Sequence, residues 1–246
     1  VTVSRSFPKS LIVITGASSG IGAALARKFS AEGHALLLLA RRVEKLQALG
    51  LPNCLCKKLD VNDTKAFIAA LGEAEAAYGP VQCLINNAGL MLLGSIQTQD
   101  PQEWQQMFNT NVLALLGCTQ AVVGGMKQHR SGTIINISSV AGRKALPNHG
   151  AYCGTKFAVS AMSENLREEM APHNVRVISI CPGATESELI SHTTSREIIE
   201  GYESWKDEIG GAIRAEDIAN TAHFVFAQPE NVCIREVVIA PTMQQP

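Results

Sequence analysis

A tyrosine and a lysine four residues apart, Tyr152 and Lys156 in Tyr-Cys-Gly-Thr-Lys, open a stretch with helical periodicity. Side chains at i and i+4 share one face of a helix. A phenol beside an ammonium is a proton-transfer pair. A free phenol titrates near ~10, and bringing it to about 7 takes roughly 4 kcal/mol of preference for the phenolate. One ammonium about 4 Å away supplies an amount of that order at an effective dielectric near 20. The expectation is a tyrosine whose pKa is drawn down by its lysine and which exchanges a proton with a substrate oxygen. Alone, Tyr-x-x-x-Lys also describes an exposed helical pair, so the chemistry needs partners elsewhere in the chain.

A second constellation supplies one. Thr15-Gly-Ala-Ser-Ser-Gly-Ile-Gly22 follows directly on the apolar run Leu11–Ile14. Gly16 can take a conformation that a β-carbon forbids, Gly20 lets the chain approach a pyrophosphate, and Gly22 lets a helix pack close to a sheet. The helix that starts here, through Ser18, Ser19 and Ile21, points free amides and its positive dipole end at phosphates. That is a dinucleotide turn, with the spacing Gly-x-x-x-Gly-x-Gly in place of the commoner Gly-x-Gly-x-x-Gly. The next apolar run ends Leu39-Ala-Arg-Arg42, with no acid to bind a ribose 2′-hydroxyl. Arg41 can hold a 2′-phosphate through two parallel hydrogen bonds, with Ser18 and Ser19 adding hydroxyls and Arg42 second in line. The cofactor expected is NADP(H). Two solvated arginines opening a helix are the alternative, which sets cations against the dipole.

The elements that must position these groups alternate along the chain. Apolar runs at Leu11–Ile14, Ala35–Leu39, Leu55–Leu59, Val81–Ile85, Thr133–Ile137, Val175–Ile180 and Glu236–Ala240 predict strands. Helical patterns fall at Ile21–Glu32, Val43–Leu49, Thr64–Tyr78, Pro101–Gln128, Ala151–Ala171 and Ala215–Phe226. Ser191–Gly211 is polar and carries no strand signal. Strands apolar throughout and separated by helices predict an α/β fold: a doubly wound, Rossmann-like parallel sheet in a single domain over 1–246. Ligands in such sheets lie beyond the carboxyl ends of the strands.

Composition narrows the partners. The 246 residues are 46% hydrophobic, enough for one full core, and the net charge of −1 argues against nucleic acid. No unbroken apolar run approaches the ~18 residues of a membrane helix. The seven cysteines include no Cys-x-x-Cys pair, no His or carboxylate cluster completes a metal site, and the N-terminus shows no signal-peptide pattern. Reduced thiols in a cytoplasmic protein are expected, with Cys54 and Cys56 facing the same side of a strand.

Taken together, Thr15–Gly22, Asp60-Val61, Asn86-Asn-Ala-Gly89, Asn111, Ser138-Ser139, Tyr152–Lys156 and Pro182-Gly183 stand in the order and spacing of the short-chain dehydrogenase/reductase family. The chain resembles that family over nearly its whole length. The resemblance implies that Tyr152 donates a proton to a carbonyl oxygen in reduction and accepts it in oxidation. It implies that Ser139, thirteen residues earlier, bonds the same oxygen. Lys156 is implied to lower the tyrosine pKa and hold the nicotinamide ribose, and Asn111 to hold a water leading to solvent. Asp60 and Val61 are implied to contact adenine, and Asn87, Ala88 and Gly89 to line the cofactor, with Asn86 structural. The family's carboxamide-binding segment reads Pro182-Gly183-Ala-Thr185-Glu-Ser187 here, leaving Thr185 its amide and Ser187 its hydroxyl.

The ending Ile234–Pro246 and Arg214-Ala-Glu-Asp-Ile218 are similar to the branch of NADP-dependent 3-hydroxy acid dehydrogenases and sulfoacetaldehyde and clavulanate aldehyde reductases. That resemblance implies a small carbonyl or alcohol carrying an anion. The alternatives are a broad carbonyl, diol or 3-oxoacyl reductase, and a non-enzymatic NADPH sensor, which would predict a missing tyrosine or lysine. Arg143 either forks to the substrate anion or is a solvated loop residue. His149 is read as a surface residue. A substrate lid is expected around 187–212. The helices Pro101–Gln128 and Ala151–Ala171, with Gly117, Gly124, Gly125, Ala158 and Ala161, match those that pair subunits in the family, implying a homotetramer or a dimer. Met243–Gln245 is expected to reach toward a neighbouring subunit.

Overall fold

The computed structural model describes residues 10–245; the reading of the N-terminus as free of a signal pattern falls largely outside them. Seven parallel strands form one sheet: β1 Leu11–Thr15, β2 Ala35–Ala40, β3 Cys54–Lys58, β4 Val81–Asn86, β5 Gly132–Ile137, β6 Val175–Pro182 and β7 Glu236–Ile239. Their order is β3-β2-β1-β4-β5-β6-β7. The helices are α1 Gly20–Ala31, α2 Val43–Gln47, α3 Thr64–Tyr78, α4 Pro101–Phe108, α5 Ala114–His129, α6 Gly150–Met170, α7 Arg196–Glu208 and α8 Ala215–Phe226. Every expected strand and helix is present, with ends moved by one or two residues.

The alternation of side chains along β1 shows why its strand is apolar throughout. Leu11 and Val13 face one layer, with Phe67 and Leu71 of α3 and Val122 and Met126 of α5. Ile12 and Ile14 face the other, with Leu25 and Phe29 of α1 and Ile218 and Ala222 of α8. Each such fully buried side chain contributes roughly 1.5–3 kcal/mol. The strand order reverses between β1 and β4, which opens a crevice at their carboxyl ends. The loops that carry the candidate site residues leave the sheet there.

Two features depart from the expected elements. The long helix splits at a π turn, Asn109–Leu113, where the Ala114 amide reaches back to the Asn109 carbonyl. By length and composition the run Pro101–His129 could cross a bilayer, but Cys118, Val122 and Met126 are packed on the sheet. Gly117 is not left for a partner subunit: a Cβ there would stand 3.0 Å from Thr64 Oγ1 at the start of α3, while Gly124 and Gly125 face open space. The polar stretch 191–211 holds α7, capped by Ser195, whose hydroxyl accepts from the Ile198 amide. Ile198, Tyr202, Trp205 and Ile209 recur at helical spacing, a signal hidden by the charged residues between them.

Candidate active site

A cleft of about 860 Å³ runs along the carboxyl ends of the strands, from Arg42 and Asp60 at one end to Tyr152 and α7 at the other. All the candidate catalytic, cofactor-binding and substrate-binding residues line it, except Asn111 and Arg143.

At its centre is the glycine turn. Gly16 and Gly20 have φ of +67° and +49°. A Cβ at Gly16 would stand 2.8 Å from Ala88 Cα, and one at Gly22 would collide with the Gly16 carbonyl oxygen. Thr15 ties this turn to the end of β4: its hydroxyl accepts from the amides of Asn87 and Ala88, both at 3.0 Å. Asn87 Nδ2 donates to the carbonyls of Thr15 (2.9 Å) and Gly16 (3.1 Å). Asn87 therefore acts on the cleft by clamping the turn. Asn86 lies in a buried network, donating to Thr119 and Asn136. The N-cap of α1, Ser19, makes no side-chain cap bond, and the first turn holds no acid. Free amides thus open on the cleft, a fit for an anion such as a pyrophosphate.

At the adenosine end the ranking of the two arginines reverses. Arg42, not Arg41, reaches the serines, its Nη2 donating to Ser19 Oγ at 3.0 Å and Ser18 Oγ at 3.3 Å. The same nitrogen donates to Glu188 at 2.8 Å, and Lys45 meets the other carboxylate oxygen at 3.1 Å. Arg41 lines the cleft beside it. Asp60 is occupied locally, accepting from the backbone and side chain of Asn62.

At the far end, β5 delivers Ser138 and Ser139. Ser138 is buried and bonded to the Lys156 carbonyl. Ser139 faces the cleft, its hydroxyl accepting from the Ala141 amide at 3.0 Å and donating to the Pro182 carbonyl at 3.4 Å, on the side of Tyr152. Tyr152 and Lys156 share one face of α6, and both are buried. Lys156 Nζ donates to the Ile137 carbonyl at 2.9 Å and lies 5.8 Å from the Tyr152 ring centroid. The expected drop in the tyrosine pKa is not found. Burial pushes the phenol above its ordinary value, and the bond from Ser139 offsets only part of that. Burial also lowers the lysine to about 8. The phenol is therefore a neutral proton donor at pH 7.

Asn111 stands behind these groups, in the π turn. Its Oδ1 accepts from the Leu90 amide at 2.7 Å, and its Nδ2 donates to the Leu90 carbonyl and Thr155 Oγ1. Both N–H groups are thus used. What it can offer a water is the second lone pair of Oδ1 and its own backbone carbonyl.

The segment after β6 forms the roof. Thr185 pairs with Ile213 in an isolated parallel bridge, which staples the two ends of the stretch between them. Ile198, Tyr202, Leu189 and Ile190 pack with Met91, Leu92, Leu93 and Tyr152 in one apolar cluster. Ser187 sits over the glycine turn, 3.2 Å from where a Cβ of Gly20 would be. Arg143 does not wall the cleft. It turns outward to form an ion pair with Glu236 of β7, because the 3-10 turn at Val140–Gly142 faces Lys144 inward instead. His149, read as a surface residue, lines the cleft, with Nδ1 2.6 Å from the Pro147 carbonyl. Gln244 folds back on its own chain, accepting from the Ala184 amide at 2.9 Å.

Sequence reasoning missed Lys45, Glu188 and Lys144, and aimed Gln244 at a neighbouring subunit where the structure turns it onto Ala184 of its own chain. Lys45 carried a signal, since it lies one turn beyond Arg41 on a helix that opens at the cleft. The others are placed by loops with no periodicity.

The short chain dehydrogenase family model matches residues 10–198. An uncharacterized oxidoreductase of Staphylococcus saprophyticus is 36% identical over 95% of this chain and 96% of its own length. A sulfoacetaldehyde reductase of Chromohalobacter salexigens is 33% identical over 95% of this chain and 94% of its own. A solved serine dehydrogenase complexed with NADP+ superposes with a TM-score of 0.90 at 29% identity, over 96% of each chain. The chain is an oxidoreductase and belongs to the short-chain dehydrogenase family.

Proposed function

We propose that this enzyme interconverts a small carbonyl and its alcohol with NADP(H), and that Tyr152, Ser139 and Lys156 carry the protein's part of the reaction. The observation that carries this reading is the convergence of Ser139 with the buried Tyr152 and Lys156 at one end of a cleft whose other end presents Arg42, Ser18 and Ser19. When bound, NADP(H) would supply or take the hydride. Tyr152 Oη gives its proton to the substrate oxygen in reduction and recovers it in oxidation. Ser139 Oγ donates to the same oxygen where negative charge develops. Lys156 is placed to hold ribose hydroxyls, with Gly89 close enough for a Cβ there to lie 3.9 Å from Nζ. Ser18, Ser19 and Arg42 hold the 2′-phosphate, with Arg41 beside them. Asp60 and Val61 border adenine. The amides of Ile21 and Gly22 face the pyrophosphate, and Thr185 and Ser187 face the carboxamide behind Pro182 and Gly183.

The substrate we propose is small and anionic, of the 3-hydroxy acid, semialdehyde or sulfoacetaldehyde type. Among the relatives, the names sulfoacetaldehyde reductase and serine dehydrogenase denote small substrates, the first of them an anion. With Arg143 paired to Glu236, the cations that line this end of the cleft besides Lys156 are Lys144 and Lys206, the latter paired with Glu203. The stretch 187–212 serves as the lid over it. The apolar wall of Leu146, Ile190, Ile198 and Trp205 favours a second reading, a broader reductase of neutral carbonyls. Phe108, Leu113, Leu116 and Phe157 are 39–58% exposed on α4, the π turn, α5 and α6. This supports subunit pairing across these helices in a homotetramer or a dimer. Seven free thiols suit a reducing, cytoplasmic setting.

The test is NADPH oxidation by purified protein against 3-oxo acids, semialdehydes, sulfoacetaldehyde and neutral aldehydes. Turnover with NADPH well above NADH, and charged substrates outcompeting neutral ones, is expected. Tyr152→Phe should cost 10²–10⁴-fold in rate, the usual share of an acid–base group, and leave NADPH binding intact. An unchanged rate would refute the mechanism.

A further inference from the structure

We propose that Glu188 is a built-in competitor for the cofactor's 2′-phosphate and so sets how strongly a 2′-phosphorylated dinucleotide is preferred; this rests on the NADP(H) reading above. One carboxylate joins the start of the lid to two cations beyond β2. Its Oε2 accepts from Arg42 Nη2 at 2.8 Å and its Oε1 from Lys45 Nζ at 3.1 Å. The same Arg42 nitrogen donates to Ser19 and Ser18 on the glycine turn. The carboxylate therefore uses the donors that a phosphate on the 2′-oxygen would use.

The surroundings point the same way. Ser187, the preceding residue, lies directly over Gly20. His192, one turn further along the lid, lines the cleft and has a buried Nδ1 with no hydrogen-bond partner among the described residues. Burial, and then the charges of Arg41 and Arg42, lower its pKa from the ordinary value, while Glu188 acts in the other direction. Arg42 and Lys45 hold the Glu188 carboxyl well below its ordinary value, at about 2, so it is charged at neutral pH.

Two anions cannot share these donors without repulsion. A 2′-phosphate must displace Glu188 from Arg42, and the first turn of the lid with it. A dinucleotide lacking that phosphate leaves the ion pairs in place. The affinity for the phosphate is then the gross attraction of Arg42, Lys45 and the two serines, less what Glu188 already holds. Exposed ion pairs of this kind are weak, so the discount is roughly 3- to 10-fold.

The experiment is calorimetric binding of 2′,5′-ADP and of 5′-AMP to the wild-type protein and to Glu188→Gln. The variant is expected to bind 2′,5′-ADP roughly 3- to 10-fold more tightly and 5′-AMP within about twofold of wild type. Unchanged or weaker 2′,5′-ADP binding overturns the proposal, as does equal tightening of both nucleotides. Glu188→Asp keeps the charge on a shorter arm and should fall between the two; binding as tight as Glu188→Gln would show that charge is not the cause. Wild-type protein that binds 5′-AMP as tightly as 2′,5′-ADP removes the NADP(H) reading itself, a failure distinct from that of the variant.

Discussion

Lys156 Nζ lies 5.8 Å from the centroid of the Tyr152 ring and is anchored at 2.9 Å on the carbonyl of Ile137, the last residue of β5. The ammonium is thus held by the sheet and buried with the phenol, and desolvation governs both groups. The cost appears in the pH dependence of stability. Lys156 has its pKa lowered from 10.5 to about 8 in the folded state. Between these values the unfolded chain binds the proton more tightly, so stability rises with pH across that window. The penalty is full below pH 8 and gone above 10.5. Lys156→Met removes it. The stability of the variant minus that of wild type should be greatest at pH 7 and shrink by on the order of 2–3 kcal/mol by pH 10.5. Urea unfolding at a series of pH values measures this, and subtraction cancels the tyrosines and cysteines common to both. A difference independent of pH would show that the lysine is not a buried charge.

Ser139 acts on the same phenol from the other side, its hydrogen bond lowering a pKa that burial raises. Ser139→Ala removes that bond and a donor to the substrate oxygen. Turnover should fall by about 10²–10³-fold. The rise of alcohol oxidation with pH, which tracks formation of the phenolate, should also move to higher pH. A rate loss with an unmoved pH profile would leave Ser139 a contact to substrate alone.

The fold was legible because the inner strands of a sheet covered on both faces are largely apolar, as Leu36–Leu39 is, and the helices other than α7 show their own period. The residues of the glycine turn were legible because backbone geometry restricts them to glycine. What stayed hidden depends on contacts between distant segments. Arg41 and Arg42 are adjacent in sequence, and only the turn into α2 decides that Arg42 faces Ser18 and Ser19. From the sequence Arg143 reads equally as a cleft residue or a solvated loop residue, and Glu236, far along the chain, holds it outside the cleft. The Tyr152 pKa was misjudged for a similar reason. Spacing on a helix gives the neighbour's charge, whereas burial depends on everything packed above it.

The glycines of the cleft are separable from those of the outer helices. A Cβ at Gly22 would meet the Gly16 carbonyl, Asn87 Nδ2 at 2.7 Å and Ala17 Cα at 2.9 Å, with two of the three neighbours backbone. Gly22→Ala should cost about 1–3 kcal/mol, as overpacking does, and weaken cofactor binding because the turn must shift. Gly124→Ala faces open space in α5 and should stabilise by up to about 1 kcal/mol through helix propensity. Thermal unfolding of the two variants checks both signs. Equal effects would mean that the close approach of α1 to the turn is not obligatory.

The substrate anion gives the last test, because sequence and structure nominate different neighbours. Arg143 is paired with Glu236 at the edge of the sheet, while Lys144 lines the cleft near Tyr152. Hydrogen bonds to charged groups are worth about 1.5–3 kcal/mol, so Lys144→Met should raise the KM for a carboxylate or sulfonate substrate roughly 10- to 100-fold. The kcat should change little, because the contact is made equally in the ground and transition states. For a neutral aldehyde the KM should stay the same. Arg143→Met should leave both values near wild type and affect only stability, by less than about 1 kcal/mol for an exposed pair. Steady-state kinetics on one charged and one neutral substrate decide the matter. A rise in KM with Arg143→Met and none with Lys144→Met would mean that the Glu236 pair opens on binding and that the arginine, not the lysine, meets the anion.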